Sequence, residues 1–407
     1  MSTPRPAASG LTVQQVLLCG ALIVTLSMGI RHGFGFWLQP IITARGWTRE
    51  TFSFAMAVQN LSWGVAGPIA GMLADRFGSW KVIVAGGVAY ALGLLMMAIT
   101  SHPLSFTLGA GVLIGVAQSG CTYAVIYGVL GRTVSADKRS WAFGVAAAAG
   151  SFGQFAMIPL ETWLISHAGW QTALFLLAGT ALLIVPLALG IRERQAVGAA
   201  TGHQSIGQAL KEAFGYRSFQ LLMLGYFVCG FQVVFIGVHL PSYLKDHGLG
   251  IEVSTAALML IGLFNIFGTY TAGMLGQRFP KRYLLSAIYG LRAVAITVFI
   301  AVPLTPLSVY LFAAVIGFLW LSTVPPTNAV VAQIFGAQHL SMLGGFVFFS
   351  HQIGSFLGVW LGGKLYDATG SYDIVWMLAI ALGIVAMLAN LPVRETPIDR
   401  SSRAQPA

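Results

Sequence analysis

The sequence predicts an all-α membrane protein: twelve transmembrane helices in two pseudo-symmetric six-helix bundles. Three observations carry this. Only 8% of the 407 residues are charged and 57% are hydrophobic, where a soluble domain averages about 25% charged. Apolar stretches of membrane-crossing length recur from end to end. The chain also contains itself twice, because Gly71-Met-Leu-Ala-Asp-Arg-Phe returns as Gly273-Met-Leu-Gly-Gln-Arg-Phe, 202 positions later.

The spans are placed near 14–40, 49–73, 81–100, 104–130, 140–164, 171–191, 218–243, 252–276, 282–302, 306–331, 341–365 and 372–391. Each can cross a hydrocarbon core of about 30 Å at about 1.5 Å per residue. Thr48, before Arg49-Glu-Thr51, reads as the N-cap that opens the second. The first run is too long for a removable leader and lacks a small-residue cleavage site, so it is expected to stay as the first helix.

At the 202-residue offset, Gly46, Glu50, Ala55, Leu61, Ala70, Gly71, Met72, Leu73, Arg76 and Phe77 equal Gly248, Glu252, Ala257, Leu263, Ala272, Gly273, Met274, Leu275, Arg278 and Phe279, ten matches in 32 positions. After one short gap, Gly150-Ser-Phe recurs as Gly354-Ser-Phe. A period this long means paired half-domains rather than a solenoid. The halves are residues 1–191 and 218–407, joined by a polar connector at 192–217.

Basic residues stay on the cytoplasmic side. With both termini inside, Arg5, Arg76, Lys81, Arg132, Lys138, Arg139, Arg192, Arg194, Lys211, Arg217, Arg278, Lys281, Arg282, Arg394, Arg400 and Arg403 fall inside, sixteen in all, against Arg45, Arg49, Lys245 and Lys364 outside. Topology therefore explains the net charge of +10, and no nucleic-acid partner is expected. Cys19, Cys121 and Cys229 lie within spans at no metal-ligand spacing, so no metal or cofactor is expected. No nucleophile-base pair or phosphate loop emerges either, which argues against an enzyme.

The loop Gly71-x-x-x-Asp75-Arg76-x-Gly78 resembles that of the major facilitator superfamily between its second and third helices. Ser79 and Trp80 stand where basic residues are usual, and Lys81 restores the charge. The resemblance implies a gating role for Asp75 and Arg76, as a latch on the cytoplasmic side. Gln277 replaces the aspartate in the second copy, which confines a charged latch to one half. From Phe34 through Gly46-Trp-Thr-Arg-Glu50 to Gly78 the chain is similar to the bacterial monocarboxylate-transporter-like branch. That likeness implies a carboxylate-binding cation in helix 1, at His32 or Arg31.

Arg31 lies about 17 residues into its span, roughly 25 Å along it, so it should face a partner or a watery cavity. Gly29, Gly33 and Gly35 are expected to clear volume around it. Glu161 is the one carboxylate near membrane depth in the first half, and a pair with Arg31 is open to it. The superfamily likeness makes helices 1, 4, 7 and 10 line the cavity, which makes Tyr123 and Asn328 candidate substrate contacts. Animal relatives carry an aspartate and an arginine four residues later in helix 8, where this chain has Asn265 and Thr269, so that ion pair cannot be carried over and Asn265 stands there as a candidate substrate contact. Arg292 is a second buried cation, either a substrate contact or a brace for carbonyls of a broken neighbouring helix, and the Pro325-Pro326 pair should kink helix 10. His351, ten residues into its span, titrates near neutral pH and reads as a proton carrier or as a neutral interhelical hydrogen-bond partner.

These features predict a bacterial inner-membrane carrier of small organic anions, monocarboxylates above all, rocking two halves about a central site, with protons as the coupling ion. The expected partners are a small carboxylate and membrane lipid, and the working unit is a monomer. An oxalate/formate-type exchanger would use the same cations. A multidrug exporter would keep a buried acid for cationic drugs, and none is evident in the sequence. A sensor with the carrier fold would carry a signalling domain, for which no stretch is long enough.

Overall fold

An apolar chain in lipid has no water for its peptide groups, so each long run must coil and satisfy itself. The computed structural model describes residues 12–134, 139–192, 206–336 and 340–398, without the side chains of Asp75, Arg139, Ser140, Ile206, Leu340 and Ser341. The described residues form twelve long helical rods. In the first half these are α1 Val13–Arg45, α2 Arg49–Phe77, α3 Ser79–Ile99, α4 Pro103–Thr133, α5 Arg139–Ala168 and α6 Trp170–Leu189. In the second they are α7 Arg217–Asp246, α8 Ile251–Arg278, α9 Lys281–Ala301, α10 Pro306–Phe335, α11 Leu340–Thr369 and α12 Asp373–Asn390. Eleven are long and apolar enough to cross a membrane. The other, α2, is as long at 29 residues but more polar, because it turns Arg49, Glu50, Gln59 and Asn60 toward protein rather than lipid. The basic residues Arg5, Lys138, Arg194, Arg400 and Arg403 of the predicted topology lie outside the described residues.

The rods begin and end where local chemistry dictates. Thr12 and Gln15 close a capping box at the start of α1, and the Thr48 hydroxyl accepts the Thr51 N–H at 3.2 Å to open α2. Gly46 ends α1 at φ 66°, a conformation that costs glycine least.

Within each half the same rods pair: α1 with α5 and α7 with α11, while α2 packs on α11 and α5 on α8 to join the halves. Glycines set these approaches, and here one expectation is corrected. Gly29, Gly33 and Gly35 do not clear space for Arg31. A β carbon at Gly29 would meet Met157 of α5, one at Gly33 would overlap the Glu161 carboxylate, and one at Gly35 would press on the carbonyls of Gly237 and Val238 in α7. They are contact points for helices, which is what small residues do in lipid.

The repeat extends to irregularities. α4 breaks at Thr122, and α10 breaks between Leu319 and Val324, just ahead of Pro325 and Pro326 at the restart, where missing N–H groups cost little. Ser27 donates to the Cys121 carbonyl at the first break at 2.9 Å, and Cys229, 202 positions after Ser27, meets Thr323 at the second at 3.4 Å. Tyr90 and Arg292 are likewise 202 apart (292 minus 90). Tyr90 donates to the Ser27 carbonyl at 3.0 Å beside the first break, and Arg292 binds the second directly.

Candidate functional site

The candidate site lies where α1, α2, α7 and α10 meet, around a cavity whose lining includes Arg31, His32, Asn60, Gly237 and Trp320. It is small, about 30 Å³, where one water needs about 10–15 Å³ by the same measure. Arg31 enters from α1 just before the helix changes to a 3₁₀ turn at Phe34–Trp37. Its Nη2 donates to Asn60 Oδ1 at 2.5 Å, and its guanidinium lies 4.9 Å from the Trp63 ring centroid. Asn60 is aimed by its own bond to the Met56 carbonyl at 2.8 Å. His32 Nδ1 donates to the Met28 carbonyl at 2.6 Å, which fixes the ring and leaves Nε2 as its second polar atom. Two buried donors of the lining, Arg31 Nε and Trp320 Nε1, have no hydrogen-bond partner among the described residues. A half-buried cation and an indole N–H left unmatched around one cavity suit an anion, because an unmade hydrogen bond costs more than a made one contributes.

Arg31 does not pair with Glu161. Glu161 is fully buried, and its Oε2 accepts from Trp37 Nε1 at 3.2 Å. The two side chains lie on different sides of α1: Gly33, which faces Glu161 of α5, is two residues past Arg31, about 200° around the helix. Glu161 also corrects the statement that no buried acid is present, although it does not line the cavity.

The remaining candidates scatter. Arg292 gives Nε and Nη2 to the Leu319 carbonyl at 3.1 and 2.6 Å and Nη2 also to that of Trp320, with Nη1 3.5 Å from Gln232 Oε1. The break in α10 frees those carbonyls, so the cation braces the backbone. Asn265 braces it from the other side: Oδ1 accepts the Leu321 N–H at 3.0 Å and Nδ2 donates to Ser151 of the first half at 2.9 Å. Neither Arg292 nor Asn265 lines the cavity. His351 Nδ1 lies 3.1 Å from Gln352 Oε1, with the ring between Tyr226 and Phe348. Tyr123 stacks against Tyr127 with ring centroids 5.6 Å apart. Its hydroxyl occupies the space beside Gly150. Asn328 is exposed and donates to the Val324 carbonyl at 3.1 Å. Arg76 is exposed, with its guanidinium 5.3 Å from the Phe77 ring centroid, and the Asp75 side chain lies outside the described residues.

At the end of the bundle opposite the termini the halves are tied by a network that sequence reasoning missed. Arg49 binds Asp246 at 2.7 Å and the Tyr372 hydroxyl at 2.8 Å, and lies 3.7 Å from the Tyr366 ring centroid. Asp367 of α11 accepts the backbone N–H of Arg49 at 3.2 Å and of Glu50 at 2.6 Å, so one half caps a helix of the other. Trp360 adds a bond to Glu50 at 3.1 Å. Farther in come Phe54 on Phe356, Gly64 against Gln352, and Trp63 on Phe348. These contacts hold the two halves together at that end.

A family model, the Major Facilitator Superfamily, matches residues 17–340 and 272–407. The chain is 25% identical over 382 residues to "Uncharacterized MFS-type transporter YcxA" of Bacillus subtilis (strain 168), with 89% of this chain and 90% of that one covered. It is 25% identical over 390 residues to "Monocarboxylate transporter 13" of Rattus norvegicus, covering 93% and 88%. Among solved structures it resembles a bacterial homolog to the human lysosomal transporter Spinster, in an inward-facing and unoccupied conformation, at a TM-score of 0.72 and 15% identity, covering 94% of this chain and 98% of that one.

Proposed function

Because the chain belongs to the major facilitator superfamily of transporters, we propose that it carries small organic anions, monocarboxylates in particular, across a bacterial cytoplasmic membrane by alternating access, taking up a proton with each anion. The observation that carries this reading is Arg31, a cation at the cavity with no carboxylate on it and with Nε unmatched beside the unmatched Trp320 N–H. A substrate carboxylate would supply both missing acceptors. Relatives named as monocarboxylate transporters support the substrate class. The excess of basic residues on the side of the termini supports a cytoplasmic location for both, and the ties at the opposite end support an inward-facing reading. The cavity must widen around its ligand, since about 30 Å³ holds about two waters.

The test is uptake of short-chain monocarboxylates into proteoliposomes by wild type and Arg31→Gln. A charge-assisted hydrogen bond contributes about 1.5–3 kcal/mol, so apparent affinity should fall about 10- to 150-fold, with Arg31→Lys in between. Unchanged uptake in Arg31→Gln would overturn the anion site.

A further inference from the structure

Glu161 has no part in that site, yet its surroundings are specific. It is fully buried in α5, Oε2 has one donor in Trp37 Nε1, and Oε1 has none among the described residues. Gly33 of α1 makes the room, since any β carbon there would overlap the carboxylate. The charged and titratable groups of every neighbouring rod are otherwise engaged or distant. In α1, Arg31 is on Asn60 and His32 on its own helix. In α3, Tyr90 donates to Ser27, and in α4, Tyr123 is pressed against Gly150. α6 has no titratable side chain, Glu252, Tyr270 and Arg278 of α8 are exposed, and His167 of α5 itself caps the Trp163 carbonyl. In α7, His239 is bound by Tyr372 and the Val359 carbonyl. An ionised carboxylate with one N–H donor and no cation is several kcal/mol worse buried than solvated, whereas the neutral acid escapes most of that cost.

The donor sits beside a contact between the two halves. Trp37 ends the 3₁₀ turn at Phe34–Trp37, and Gly35 of that turn packs on the Gly237 and Val238 carbonyls in the other half. Opening the tied end would part this turn from α7 and expose the Trp37–Glu161 contact to water.

We propose that Glu161 is the proton-binding site of the carrier, loaded from water at Oε1 when the end opposite the termini is open and held as the neutral acid while the turn at Gly33–Trp37 is closed over it. This rests on the carrier reading above, and the two fail separately. In infrared pH titration, wild type should show the carbonyl stretch of a buried carboxylic acid at neutral pH, Glu161→Gln should remove it, and Trp37→Phe should shift its frequency. In proteoliposomes, Glu161→Gln should retain anion exchange and lose accumulation driven by a pH gradient, while His351→Gln keeps both. A spectrum in which Glu161→Gln removes no acid band, or a Glu161→Gln carrier that still accumulates substrate, would overturn the proposal. If Glu161→Gln does not fold, the Trp37→Phe band shift decides, and its absence counts against the site. Should the wild type move no carboxylate at all, the carrier reading fails while the infrared result still decides whether Glu161 holds a proton.

Discussion

Asp367→Asn tests the tie between the halves. Asp367 is a helix cap supplied across an interface: its two oxygens take the first N–H groups of α2, from Arg49 and Glu50, at 3.2 and 2.6 Å. The asparagine keeps one acceptor and loses the charge and the second bond. Loss of a capping acceptor costs about 0.5–2 kcal/mol, and loss of a negative charge at a helix N-terminus about 0.3–1 kcal/mol. Opening this end requires α2 and α11 to separate, so the sum, about 1–3 kcal/mol, is expected to act as bias toward closure. At about 1.4 kcal/mol per factor of ten, the open population should rise roughly 5- to 150-fold. Spin labels at Leu104→Cys and Leu307→Cys, both exposed and one in each half, on a background lacking Cys19, Cys121 and Cys229, would report this as a new long-distance component in a dipolar distance measurement. Asp246→Asn should act in the same direction but less, since the Asp246 side chain is 25% exposed and such pairs contribute about 0.2–1 kcal/mol. A distance distribution unchanged by Asp367→Asn would refute the claim that the cap biases the conformers.

Arg292→Gln should lower the melting temperature by several degrees, because carbonyls at the α10 break lose charge-assisted bonds of about 1.5–3 kcal/mol each. Its KM should stay at the wild-type value, and a raised KM with unchanged melting would make Arg292 a ligand group instead. Gly354→Ala should severely destabilise the protein, since its β carbon would overlap the Phe227 carbonyl of α7, whereas Gly345→Ala meets nothing within 4 Å and should be neutral. Thermal melts of the two variants side by side would check this, and equal stability would contradict the packing.

The twelve rods were legible because membrane-crossing length is a local property, and the N-cap at Thr48 because a cap needs only its own next turn. The repeat announced the two halves. Depth along a helix was legible too, which is how Arg31, Glu161, Arg292 and His351 became candidates. Rotation about the axis was not. Arg31 and Glu161 share a half and approach one level, yet face different sides of α1, and only the packed structure gives Arg31 to Asn60 and Glu161 to Trp37. The role of Asn265 depended on where α10 breaks, a matter of a few residues around Trp320 that the Pro pair only brackets. The Asp367 cap joins positions 317 and 318 apart in the chain, with no periodic pattern to signal it.

The brace at the second break bears on how the chain is made. Arg292 finds its acceptors at Leu319 and Trp320, 27 and 28 residues downstream, so α9 leaves the ribosome before its arginine has a partner. An arginine at the centre of a lone helix costs about 2.5–3.5 kcal/mol on insertion scales, a cost its equivalent in the first half, Tyr90, does not bring. The two halves thus share a fold but not an assembly schedule. α9 must wait beside the translocon, or enter together with α10 as a hairpin, whereas α3 can partition into lipid alone.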